Sequence, residues 1–146
     1  MGTNKGAAAE LAWHDVTQWG VEGRAWGEQN RLRWFDRLPA KAEGKVTDAV
    51  WKLSRDSAGM MVRFKTNAVS IHARYKVMKP VLGMPHMPAT GVSGIDLYAR
   101  DDAGKWRWVQ VVKPATQEIT AEIVGGLAPG TREYAAYLPL YNGVEN

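Results

Sequence analysis

Val69-Ser70-Ile71-His72-Ala73-Arg74-Tyr75-Lys76-Val77 alternates apolar and polar residues without a break. In an extended chain successive side chains point to opposite faces. Val69, Ile71, Ala73, Tyr75 and Val77 therefore share one face, and Ser70, His72, Arg74 and Lys76 share the other. A stretch of this kind is a strand with one side on a core and one in water. Upstream, Met61-Val62-Arg63-Phe64-Lys65-Thr66 alternates in the same way, and Thr66-Asn67-Ala68 is a short connection. The two segments read as a hairpin.

The same pattern recurs downstream. Gly94 to Arg100 is a strand, Asp101-Asp102-Ala103-Gly104 is a turn by composition, and Lys105 to Val112 is the returning strand. Glu118 to Val124 is another, closed by Gly125-Gly126, and the last runs from Glu133 to Tyr141. Pro139 has no amide to donate, which assigns that last strand to an edge or a bulge. Ala49 to Ser54 reads as a further strand, and Leu11 to Thr17 and Val21 to Trp26 as weaker ones. Only Glu28 to Leu38 has helical character, ended by Pro39.

Seven to nine short strands with turns between them specify an all-β antiparallel sandwich or barrel. The expected core is Val62, Phe64, Ile71, Ala73, Tyr75, Ile95, Leu97, Ile119, Ile123 and Leu138. At 146 residues the chain has the length of one domain. Residues 1–9 read as a flexible tail and 10–146 as the folded unit. Residues 78–93 form a long loop holding three of the seven prolines, a length at which loops commonly carry function.

The formal net charge of +4 permits acidic partners, but the basic residues are scattered. Arg63, Lys65, Arg74, Lys76 and Arg107 alternate with apolar neighbours, which makes solvated strand faces rather than a nucleic-acid footprint. No apolar run reaches the ~18 residues of a membrane span. The N-terminus lacks the apolar region of a signal peptide. With no cysteine there is neither a thiol nucleophile nor a thiolate metal site. His14, His72 and His86 lack ligand spacing, so neither metal nor cofactor is expected.

Two groups of residues invite a chemical reading. His86, Ser93 and Asp96 lie close in sequence, and Gly91-Val92-Ser93-Gly94-Ile95 resembles a nucleophile elbow whose second glycine comes one residue early. An elbow joins a strand to a helix, whereas here a loop precedes and a strand follows. Ser93 is therefore expected to cap a turn and Asp96 to satisfy a neighbouring amide. The second group is the seven tryptophans. Trp106 and Trp108 share one strand face, where they form either a sugar platform or core packing. Trp19 and Trp26 flank glycines and are the other candidates for exposed ligand contact.

Gly94-Ile95-Asp96-Leu97-Tyr98 carries a family resemblance. The chain resembles the GxDLY-type N-terminal domain that precedes SGNH (GDSL-like) hydrolase domains in bacterial esterases. Asp36 to Ala40, Val50 to Ser54, Ser57-Ala58-Gly59, Met84 to Pro88 and Tyr137 to Gly143 resemble its other blocks in order, so the likeness covers nearly the whole chain after residue 10. It implies a β-sandwich of jelly-roll type, with a following catalytic domain that carries the nucleophile, oxyanion-hole and Asp/His blocks. No Gly-Asp-Ser block occurs in this sequence, so the chain is expected to have no esterase activity alone. The parent enzyme is expected to be an ester hydrolase, secreted or periplasmic.

The expectation is thus a non-catalytic accessory domain, either carbohydrate-directed or purely structural. The ligand-contact candidates are Trp19, Trp26, His86, Trp106 and Trp108. The expected partners are the catalytic domain and a polysaccharide or acylated sugar; His86 either packs or fixes the loop by a hydrogen bond, or stands at the cleft rim as a substrate hydrogen-bonding group. An apolar 78–93 loop and an unpaired sheet edge beside Glu133 to Tyr141 would favour a weak homodimer.

Overall fold

A computed structural model describes residues 10–145; the expected flexible tail lies outside them. The strands are β1 (Met61–Thr66), β2 (Ile71–Lys76), β3 (Asp96–Arg100), β4 (Trp106–Val111), β5 (Glu118–Val124) and β6 (Arg132–Tyr137). They form two antiparallel sheets, a four-stranded one in the order β1-β6-β3-β4 and a two-stranded one of β2 and β5. The fold is all-β and sandwich-like, with six strands among the described residues rather than seven to nine.

Alternation places the core where the sequence predicts it. Val62, Leu97 and Tyr134 from the larger sheet meet Ile71, Tyr75, Ile119 and Ile123 from the smaller one in a single cluster. Ile95 and Leu138 are buried with them, and Phe64 and Ala73 pack against the cluster while half-buried. Leu97 is fully buried between outward-facing Asp96 and Tyr98. A one-residue slip of β3 would exchange them and put a carboxylate in the core.

Pairing is where expectation and structure part. β1 and β2 are not a hairpin: β1 pairs with β6, Met61 opposite Tyr137, and β2 pairs with β5, Tyr75 opposite Ile119. Alternation says which residues face inward but does not name the partner strand. Only the β3–β4 connection stays within one sheet, and its turn is built as composition predicts. Asp101 Oδ1 accepts the amides of Ala103 and Lys105 at 3.0 and 2.8 Å, and Gly104 takes φ +78°. The Arg107 guanidinium donates to Asp101 Oδ2 at 2.8 Å. That bond, with the Lys105 amide, holds the carboxyl below its ordinary range.

β6 is also not an edge. It lies between β1 and β3 and ends at Tyr137, so Pro139 follows the strand, fully buried, where no ladder amide is needed. The open edge expected beside Glu133 to Tyr141 is closed on both sides, and the homodimer argued from it loses that basis.

Ala49 to Ser54 belongs to a helix, α1 (Asp48–Ser54), not a strand. The Thr47 hydroxyl accepts the Val50 amide at 3.4 Å, and Asp48 stands in the first turn, the charge a helix start favours. Leu11 to Thr17 and Val21 to Trp26 form no strand; a 3-10 turn covers Val16–Gln18, and only Glu22 bridges to Met61. Glu28 to Leu38 is irregular rather than helical. Arg31 donates to the carbonyls of Ala25, Gly27 and Gln29 at 2.6, 2.9 and 2.9 Å, tying the start of this segment to the loop before it.

Candidate functional site

The residues with a catalytic look lie in a buried seam between the 78–93 loop and the segment after β6. A single helical turn, α2 (Ala89–Val92), ends in Ser93 as its C-cap. Ser93 is fully buried; its hydroxyl donates to the Leu82 carbonyl at 2.8 Å and accepts from Asn142 Nδ2 at 3.0 Å. Asn142 also donates to the Lys79 carbonyl at 3.2 Å and accepts the Lys79 amide at 2.9 Å. Ser57 Oγ lies 2.7 and 3.0 Å from the carbonyls of Pro139 and Asn142. Lys79 Nζ reaches the buried Asp56 carboxylate at 2.6 Å and the Tyr141 carbonyl at 3.0 Å. The Tyr75 hydroxyl donates to the Ser93 carbonyl at 2.9 Å, and burial pushes its pKa up.

No triad is present in this seam. His86 is exposed at the tip of a tight turn in which Met84 and Met87 exchange backbone hydrogen bonds of 2.8 and 3.1 Å. Its ring meets the edge of Tyr141, 6.5 Å between centroids. Asp96 is on the outer face of β3 and accepts the Trp108 indole N–H at 2.9 Å, where a backbone amide was expected. Ser93 thus caps and pins, as expected, and its hydroxyl is committed to carbonyl and amide partners.

The open chemistry is on the outer face of the four-stranded sheet. Register sets two rungs across it: Met61 (β1), Tyr137 (β6) and Asp96 (β3), then Arg63 (β1), Ala135 (β6), Tyr98 (β3) and Trp108 (β4). The small Ala135 keeps the middle of the second rung low between larger side chains. The result is a groove of about 450 Å³, lined also by Trp106 and Leu140. Tyr98 and Tyr137 meet edge to face at 5.6 Å. Trp108 is 54% exposed, Tyr137 39% and Trp106 38%, so ring surface is left over after packing.

The cations in and beside the groove are engaged. Arg63 pairs with Glu22 at 2.7 Å and Glu133 at 3.7 Å, and Arg100 with Glu133 at 3.0 Å, with its guanidinium 5.7 Å from the Trp106 ring. The Asp101–Arg107 clasp at the β3–β4 turn fixes the hairpin that carries both tryptophans.

Of the five nominated ligand contacts, Trp106 and Trp108 stand together on this face. Trp19 lies elsewhere, 5.9 Å from Phe64, which in turn stacks on Tyr134 on the core side of the sheet. Trp26 sits on the arginine-held loop at φ +61°, and His86 at its own turn tip. Tyr98, Tyr137 and Asp96 were missed as groove residues. The signal was present: they alternate with Leu97, Ala99 and Leu138, so they face out if those face in.

Comparison with known proteins agrees with the fold. A family model described as GxDLY, the N-terminus of SGNH-hydrolase-type esterases, matches residues 11–146. The crystal structure of a GDSL-like lipase from Bacteroides ovatus superposes with a TM-score of 0.80 at 27% identity, over 89% of this chain. The chain spans 37% of the length of that protein. No curated protein matches.

Proposed function

The chain belongs to the GxDLY family, the N-terminus of SGNH-hydrolase-type esterases, and from that premise we propose that it is a non-catalytic accessory domain that binds glycan for an ester-hydrolysing catalytic domain. The observation that carries this reading is the row of Tyr137, Tyr98 and Trp106 along the groove, with Trp108 exposed beside Tyr98 on the same sheet face. Pyranose rings present apolar C–H faces that stack on aromatic rings, with hydroxyls at the edge for hydrogen bonds. A groove of about 450 Å³, held by backbone pairing, meets such a ligand with little ordering cost. The alternative site for chemistry is spent: acyl transfer needs an activated nucleophile and an oxyanion hole, and Ser93 and Ser57 are both buried and hydrogen-bonded.

A second reading, a module that braces the catalytic domain and shapes its cleft, draws on the 78–93 loop. Asn142 and Lys79 fasten that loop, yet Val81 is 70% and Met84 42% exposed beside His86. Stiff exposed apolar surface of this kind suits a protein neighbour, with His86 at the rim of the shared cleft.

Tryptophan fluorescence titration with xylan and acetylated xylan separates the two. The glycan reading expects saturable quenching, lost at least tenfold in affinity in Trp106→Ala and Trp108→Ala. A flat response to every polysaccharide tried leaves the bracing reading in its place.

A further inference from the structure

The groove lining contains two charged side chains, Arg63 and Asp96. Arg63 is neutralised by Glu22 and Glu133. Asp96 makes no ion pair among the described residues; its one side-chain hydrogen bond is from the Trp108 indole to Oδ1. A carboxylate has about four acceptor sites, so most of its accepting capacity faces the groove unused. A half-buried carboxylate beside aromatic faces accepts hydrogen bonds from hydroxyls and repels other carboxylates.

The namesake motif divides along the same line. A Cβ on Gly94 would lie 2.3 Å from the Thr90 carbonyl oxygen and 2.5 Å from that of Val112, so tight backbone packing accounts for the glycine. Full burial accounts for Leu97. Asp96 and Tyr98 are only half-buried, and beyond the bond to Trp108 and the contact with Tyr137 both turn surface into the groove.

We propose, on the reading that this face binds glycan, that Asp96 is its specificity-determining residue: it accepts hydrogen bonds from the hydroxyls of a neutral polysaccharide, turns away polyuronates, and holds Trp108 in stacking position.

The test titrates the folded domain with three neutral probes, xylohexaose, cellohexaose and mannohexaose, and one anionic probe, hexagalacturonate. Asp96→Asn is the informative variant, because its side-chain carbonyl can still accept the Trp108 indole while the charge is gone. Wild type is expected to bind at least one neutral probe well above hexagalacturonate. Asp96→Asn should weaken neutral binding about tenfold and narrow that gap, with the near-UV circular dichroism of its tryptophans unchanged. Wild-type affinities in Asp96→Asn, with binding still lost in Trp106→Ala, would overturn the role of Asp96 and leave the glycan reading standing. No binding of any probe by wild type, or binding indifferent to Trp106→Ala, overturns the glycan reading and this proposal with it.

Discussion

The seam between the 78–93 loop and residues 138–143 and the outer face of the four-stranded sheet both hold side chains with chemical potential, and they differ in what is left over. In the seam Ser57, Ser93, Asn142, Asp56 and Lys79 are bonded to one another or to carbonyls. On the face, aromatic rings and one carboxylate keep surfaces that no protein group covers. Buried polar atoms must find partners, or folding bears the full cost of their desolvation. A buried cluster of serine, asparagine, lysine and aspartate is therefore what a stable seam needs, however much it resembles catalytic machinery. Function is sought where packing leaves capacity unspent.

The largest expected effect tests the seam. Asn142→Ala removes both side-chain bonds to the Lys79 backbone and one to the Ser93 hydroxyl, leaving buried groups without partners. The expected loss is about 3 kcal/mol in a urea melt with unchanged slope. Sugar affinity of the remaining folded protein should match wild type. A loss below about 1 kcal/mol would show that the seam is not what fastens the loop.

That division was half legible in the sequence. Alternation identified β1 and β2, and apolar runs between turn residues the other strands and the core, because the period of side chains in a strand depends on nothing outside the strand. Partner choice was not legible: Met61 to Thr66 and Ile71 to Lys76 are adjacent in sequence yet lie in different sheets. α1 was misread because Val50 and Trp51 favour strands, and Val50 and Leu53 remain exposed, so no buried stripe marks the helix. Its start signal, Thr47 followed by Asp48, was readable. The seam was invisible because Ser57, Lys79, Ser93 and Asn142 are distant in sequence and meet only after folding. Trp106 and Trp108 were recognised from their shared strand face, whereas completing the groove with Tyr137 and Arg63 required the β6 and β1 registers.

A smaller effect sharpens the boundary between seam and core. Tyr75 sits on β2 and donates to the Ser93 carbonyl, and its folded pKa is raised by burial. The unfolded chain ionises this phenol first, near its ordinary value of about 10. Its contribution to stability is thus complete below that pH and is lost as pH rises toward the folded pKa. Tyr75→Phe is expected to cost about 1 kcal/mol at neutral pH, through the lost hydrogen bond. Denaturant melts should show the gap between the two proteins closing above pH ~10, because the variant has no phenol there to ionise. A gap that stays constant into alkali would mean the hydroxyl is not held neutral by burial.

The smallest effect concerns Trp26, an exposed tryptophan that belongs to neither region. It is the one described non-glycine residue with positive φ, at +61°, and it is 53% exposed. Left-handed backbone costs a side-chain-bearing residue about 1–2 kcal/mol, which glycine avoids. Glycine also adds freedom to the unfolded chain, which offsets up to about 1 kcal/mol of that gain. The loop does not depend on the indole, because Arg31 grips the carbonyls of Ala25, Gly27 and Gln29. Trp26→Gly should therefore be neutral or stabilising by about 0.5 kcal/mol in thermal unfolding. Sugar affinity should be unchanged, since Trp26 does not line the groove. If Trp26→Gly abolished glycan binding while Trp106→Ala preserved it, the ligand would belong to the arginine-held loop, the strain at Trp26 would be kept for binding, and the sheet face would be ordinary exposed surface.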